Sequence, residues 1–184
     1  MSTRDKTSSE QKTRPASTDA GRVAILGLGN ILLSDEGAGV HAVTFMKERY
    51  DFSPPVDIID GGTMGLDLLP LFQDRKRILI IDAVDFGEAA GHTGVVEGDA
   101  ISSVLNTKLS AHHIGVSDLL FTAKLTRAAV PNVCLVGIQP ESLEVGLDMT
   151  EKVRVRIDTL IDLAIGKLKE WNIACSRRPH PLPK

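Results

Sequence analysis

Short apolar runs alternate with longer amphipathic segments along most of the chain. Five apolar runs have the length of buried strands: 23–26, 56–59, 77–81, 93–97 and 133–138. Four segments have apolar residues at helical spacing: 39–50, 66–72, 115–126 and 149–171. Strands that are apolar nearly throughout, and that alternate with helices, indicate a mostly parallel sheet covered on both faces. The pattern therefore predicts a three-layer α/β fold, with a twisted sheet between two layers of helices.

The two ends of the chain lack this pattern. Residues 1–21 are polar and rich in Ser, Thr and Lys, which predicts a disordered tail. Residues 175–184 contain three prolines and two arginines, which predicts a second loose end. Residues 22–174 are then expected to form one domain, because no internal repeat or linker divides them.

Composition excludes several classes of protein. The net charge is −3, and residues 23–174 carry −8 from 13 basic and 21 acidic residues. An acidic body with five Phe, one Tyr and one Trp does not favour nucleic-acid binding. No apolar run approaches the roughly 20 residues of a membrane helix, so we expect no membrane association. The two cysteines cannot build a disulfide framework, and we expect a cytoplasmic protein.

Acidic residues follow three of the predicted strands. Glu36 follows the first strand after a short loop, while Asp60 and Asp82 come directly after the second and third. Parallel strands end at one edge of a sheet, where α/β proteins bind ligands, and His112 precedes a predicted helix. Crowded carboxylates repel each other unless a cation neutralises them. Together with an imidazole, they would suit a divalent transition metal, most simply zinc.

Each of these residues has an alternative. Acidic residues at strand ends also cap helices and form turns. The neighbouring residues Asp35, Asp85 and His113 could take the roles given to Glu36, Asp82 and His112.

Other catalytic signatures are weak or missing. The Gly27-x-Gly29 pair lacks the third glycine of a dinucleotide fingerprint, because position 32 is Leu. Neither Cys134, inside a predicted strand, nor Cys175, near the tail, has the setting of an activated nucleophile.

Five motifs, in order, resemble those of the hydrogenase maturation endopeptidases, which process the large subunit of nickel–iron hydrogenases. They are GLGNILLSDEGAGV (27–40), DGGT (60–63), IDA (81–83), SAH (110–112) and GIQPES (137–142). The resemblance covers residues 23–170, and the polar N-terminal tail is not part of it. It implies a twisted sheet sandwiched by helices.

The resemblance also implies which residues act. The metal-binding set of the family carries over to Glu36, Asp82 and His112, and its Asp-Gly-Gly-Thr aspartate carries over to Asp60. His112 is preferred to His113 because the family histidine directly follows the Ser/Thr-x pair. We therefore expect catalysis by the carboxylates of Asp60, Glu36 and Asp82, as in an aspartyl protease.

The implied activity is one cut that removes the C-terminal extension of a nickel-loaded large-subunit precursor. The nickel belongs to the substrate, so no permanently bound cofactor is expected, although a surrogate divalent ion could occupy the site. Two further hypotheses stay open: a metal-dependent hydrolase of small molecules, and a non-catalytic chaperone of the hydrogenase precursor.

Overall fold

The computed structural model describes residues 23–105 and 132–179. Seven strands lie in these ranges: β1 (Val23–Leu28), β2 (Tyr50–Ser53), β3 (Asp57–Gly62), β4 (Arg77–Ala83), β5 (Thr93–Glu97), β6 (Asn132–Ile138) and β7 (Ala174–Arg177). Five helices accompany them: α1 (Ala38–Arg49), α2 (Leu69–Asp74), α3 (Ala100–Leu105), α4 (Glu151–Arg154) and α5 (Ile157–Glu170). Single 3-10 turns at Ser34–Gly37 and Gly65–Leu68 precede α1 and α2.

The main sheet has the strand order β3-β1-β4-β6-β5. Its first four members are parallel, and β5 pairs antiparallel with β6 at one edge. All six residues of β1 are buried, as are six of the seven residues of β4. Burial on both faces explains why these strands have apolar runs without alternation.

Helices cover both faces of this sheet, which confirms the predicted three layers. On one face, α1 and α5 pack over alternate residues of β1, β4 and β6. On the other face, Phe72 of α2 and Ile101 of α3, together with Leu68 of the 3-10 turn before α2, form a second core around Ile78 and Ile80. No helix within residues 23–105 and 132–179 has the length and hydropathy required to cross a membrane.

The predicted helix at 149–171 is in fact two helices. The backbone N–H of Arg156 bonds to the carbonyl of Val153, three residues back, so the chain tightens between α4 and α5. Val153 of α4 and Ile157 of α5 both pack in the core. The predicted helix at 115–126 lies outside the described residues.

Part of the C-terminal segment also differs from its prediction as a loose end. Strand β7 pairs antiparallel with β2, which the sequence pattern did not predict. The guanidinium of Arg178 extends this contact, because its Nη2 lies 2.7 Å from Oδ1 of Asp51. The domain therefore continues past residue 174, and the partly buried Phe52 and Cys175 pack against its core.

Helix α1 lies unusually close to the sheet because glycines replace side chains at the contact. A Cβ atom on Gly39 would stand 2.1 Å from the carbonyl oxygen of Ile81 and 2.4 Å from that of Leu28. A Cβ on Gly27 would stand 2.4 Å from Cγ2 of Val43. The first turn of α1 therefore contacts the backbone at the carboxyl ends of β1 and β4 directly.

We expect Gly39→Ala to lower the free energy of unfolding by about 3 kcal/mol, because the added methyl group meets backbone that cannot move aside cheaply. Urea unfolding followed by circular dichroism measures this change.

Gly166→Ala is the matched control. Gly166 lies in α5, and nothing stands within 4 Å of a Cβ built there. This substitution should raise stability by about 0.5–1 kcal/mol through helix propensity alone. Equal effects of the two substitutions would contradict the close approach of α1.

Candidate active site

The three predicted acidic residues all lie at the carboxyl edge of the sheet. Glu36 is in the 3-10 turn between β1 and α1, and Asp60 and Asp82 are among the last residues of β3 and β4. Strands β3, β1 and β4 are adjacent and parallel, so their ends meet at one edge.

Glu36 and Asp82 are buried, with 1% and 0% of their surfaces exposed. The turn that carries Glu36 contacts β4. Its position depends on Gly29, which has φ of +122° and whose Cβ, if present, would lie 1.8 Å from the carbonyl oxygen of Glu36. Two carboxylates are thus held inside the protein on adjoining elements. Burial strengthens their interaction with any cation that reaches them.

Asp60 is at the same edge but stands apart from this pair. Gly27 of β1 is in register with both Asp60 and Ile81, which places β3 and β4 about 10 Å apart. Strand alternation assigns Asp60 and Asp82 to opposite faces of the sheet. Asp60 is exposed, and its Oδ1 accepts a 3.0 Å hydrogen bond from the backbone N–H of Gly62. Its side chain therefore shapes the turn and is open to solvent.

Asp35, the alternative to Glu36, has a structural role. Its buried carboxylate accepts four hydrogen bonds from a loop more than 100 residues away. The donors are the backbone N–H groups of Glu141, Ser142 and Thr150 and the hydroxyl of Thr150, at 2.7–3.1 Å. Asp35 therefore fixes residues 141–150 beside the turn that carries Glu36. The sequence showed a candidate cap here and did not reveal this partner loop.

Asp85, the alternative to Asp82, is also engaged in hydrogen bonds. Its Oδ1 accepts from the backbone N–H of Gly87 at 2.9 Å and from Nε2 of Gln139 at 3.2 Å. Oε1 of Gln139 in turn accepts from the backbone N–H of Phe86 at 2.7 Å. Gln139 thus ties the segment after β4 to the end of β6. It lies in the GIQPES motif, but sequence reasoning assigned it no role.

The third predicted metal ligand, His112, lies outside the described residues, as does its neighbour His113. Within the two described ranges, no three His, Cys, Asp or Glu side chains are grouped closely enough to hold a metal ion. The trio of Glu36, Asp82 and His112 therefore stays a prediction. The structure brings its first two members onto adjoining elements.

Neither cysteine has the properties of a nucleophile. Cys134 is buried in β6, where loss of solvation, followed by the nearby charge of Glu97, raises the pKa of its thiol to about 12. Burial likewise raises the pKa of Cys175. A reactive cysteine needs a lowered pKa, so the described thiols do not supply a thiolate near neutral pH.

Comparisons with known proteins identify the class of enzyme. The family model for hydrogenase maturation proteases matches residues 40–167. The hydrogenase expression/formation protein HupD of Bradyrhizobium diazoefficiens is 38% identical over 91% of this chain and 88% of its own length. The Escherichia coli hydrogenase 2 maturation protease is 34% identical over 83% of this chain and 93% of its own.

A solved structure shows the same architecture. The hydrogenase maturating endopeptidase HybD of E. coli superimposes with a TM-score of 0.81 at 33% identity, covering 85% of this chain and 98% of that one. The fold and these matches define a peptidase. The chain belongs to the hydrogenase maturation protease family.

Replacement of Asp35 by Ala should lower the free energy of unfolding by about 3 kcal/mol, because several buried donors lose their acceptor at once. Urea unfolding measures the loss. Amide hydrogen exchange should quicken at Glu141, Ser142 and Thr150, whose N–H groups Asp35 holds.

Thr150→Val is the matched control, because it removes only the hydroxyl donor from this set. It should cost about 1 kcal/mol. If Asp35→Ala destabilised the protein no more than Thr150→Val, Asp35 would not be what holds the loop.

Proposed function

We propose that this protein removes the C-terminal extension of a nickel–iron hydrogenase large-subunit precursor, and that it recognises the nickel already bound in that precursor. The names of the relatives support a role in hydrogenase maturation. The single observation that carries the finer proposal is the pair of buried carboxylates, Glu36 and Asp82, held on adjoining elements at the carboxyl edge.

Several features favour Glu36 and Asp82 as the groups that meet the metal. The neighbouring acids Asp35 and Asp85 are occupied by loop and turn hydrogen bonds. Glu36 and Asp82 are both buried at this edge, and burial makes a carboxylate–cation contact stronger than it would be in water. His112, one nitrogen ligand, would complete a set of three. Three protein ligands leave coordination positions free for groups that the precursor supplies.

In this proposal the metal has two roles: it distinguishes nickel-loaded precursor from nickel-free precursor, and it positions the precursor in the site. Contact with Glu36, Asp82 and His112 would occur only when the precursor carries nickel, and it would hold the scissile bond in a fixed register. A water molecule then attacks the peptide carbonyl and a carboxylate accepts its proton; the C–N bond breaks as that proton passes to the departing amine. We assign the proton-accepting role to Asp60, which is exposed to solvent at the same edge of the sheet.

Asp82→Asn should abolish processing or slow it at least a hundredfold, because the neutral amide loses the charge that meets the cation. Glu36→Gln should act in the same direction. The measurement is the mass of a nickel-loaded large-subunit precursor incubated with each variant over time.

Asp162→Asn is the matched control, since Asp162 is an exposed acid in the middle of α5. It should process the precursor at the wild-type rate. Normal shortening of the precursor by the Asp82 and Glu36 variants would overturn the proposed role of this pair.

A further inference from the structure

Four exposed apolar side chains lie beside the buried carboxylates. Ile31, Leu32, Val145 and Leu147 are 45%, 55%, 88% and 67% exposed, and we call them the apolar collar. Only four other large apolar side chains are as exposed in the described ranges: Met64, Leu66, Val95 and Val155. Scattered exposed apolar residues need no explanation. Four exposed apolar side chains grouped next to an acidic site do need an explanation.

The collar is made of two segments joined by backbone contacts. Leu33 and Gly146 form a parallel bridge, which sets Leu32 and Val145 side by side, about 5 Å apart. The N–H of Gly146 donates to the carbonyl of Leu32 at 2.9 Å, and the N–H of Ser34 donates to the carbonyl of Gly146 at 2.8 Å. Both segments are thus held in one orientation.

The collar is also fixed to the site. Asp35 lies between Leu32 and Glu36 in the chain, and its four hydrogen bonds hold the 141–150 loop, which carries the other half of the collar. A partner seated on the collar would therefore be placed in register with Glu36. Preorganised apolar surface of this kind binds with a small entropic cost.

Charge surrounding the collar restricts what can bind there. The sequence segments 23–46, 57–74, 78–107 and 132–151 contain no Lys or Arg. Glu144, Asp148, Asp60 and Asp67 are exposed along the carboxyl edge. None of these four is in an ion pair among the described residues, whereas the nearby Lys152 is paired with Glu141 at 2.5 Å.

Most of the described Lys and Arg residues lie at the other end of the sheet, where the parallel strands begin. Arg75 and Arg77 flank the start of β4, and Lys47 and Arg49 lie at the end of α1. Arg178 is bound to Asp51 beside that helix end. Lys152, Arg154 and Arg156 follow the collar loop, but the first two are paired with Glu141 and Glu151. In the part of the chain that the structure describes, acidic residues outnumber basic ones around the collar, so this edge is negative. It favours a partner that carries positive charge.

We propose that the apolar collar docks an apolar, Lys- or Arg-containing segment of the hydrogenase precursor polypeptide. This inference rests on the proposed function and adds a second contact to it. The metal-facing carboxylates would recognise the ion, and the collar would recognise the polypeptide around it. A second copy of this chain is disfavoured as occupant, because two negative edges would repel each other.

The experiment compares a double variant, Val145→Ser with Leu147→Ser, against the wild-type protein. Initial rates of precursor shortening are measured over a range of nickel-loaded precursor concentrations. Loss of two apolar contacts should raise KM about tenfold and leave kcat within about twofold. Both side chains are exposed, so thermal unfolding should be unchanged.

Val95→Ser with Val155→Ser is the matched control, because these valines are exposed outside the collar. It should leave KM unchanged. A second test, Glu144→Gln with Asp148→Asn, should raise KM about two- to threefold at low salt, with the difference shrinking in about 0.5 M salt as charges are screened.

The outcomes separate the collar from the proposed function. If the wild-type protein shortens the precursor and the collar variant does so with the same KM, the collar proposal is wrong and the function stands. If the wild-type protein leaves a nickel-loaded precursor intact, the proposed function is wrong, and the proposed binding of the precursor to the collar is wrong with it. A wild-type dimer that the collar substitutions dissociate, without change in KM, would assign the collar to self-association and overturn the proposal.

Discussion

The close contact between the first turn of α1 and the strand ends determines the site. Gly39 allows backbone to meet backbone at Ile81 and Leu28, and Gly29 leaves room for the carbonyl of Glu36. A side chain at either glycine would lift the turn away from β4, whose last residue but one is Asp82. The two buried carboxylates therefore lie on adjoining elements because glycines at positions separated by ten residues remove the bulk between them.

A second constraint acts at longer range. Asp35 joins the 3-10 turn before α1 to the 141–150 loop, and Gln139 joins the end of β6 to the segment after β4. Both contacts involve polar groups whose hydrogen bonds are made within the protein, so they fix loops as well as helices and strands. Asp35 and Asp85, the acids next to the functional candidates, are structural for this reason.

Much of the sheet could be predicted because its central strands β1, β4 and β6 are buried on both faces, and each apolar run is visible locally. The polar groups that organise the edge were harder to assign. The partners of Asp35 lie more than 100 positions away, and no local pattern links them. Strands β2 and β7 were missed because each is four residues long and neither contains a buried residue. The break between α4 and α5 falls inside a continuous apolar period, so only the backbone hydrogen bonds reveal it.

The most direct test of the account uses nickel-free precursor as a competitor. Metal recognition by Glu36 and Asp82 predicts that nickel-free precursor is not cut, and that it inhibits cleavage of the nickel-loaded form with an inhibition constant at least about tenfold above KM, since a tenfold difference requires only about 1.4 kcal/mol of metal contact. Cleavage of both forms at equal rates, or an inhibition constant equal to KM, would show that Glu36 and Asp82 do not recognise the metal.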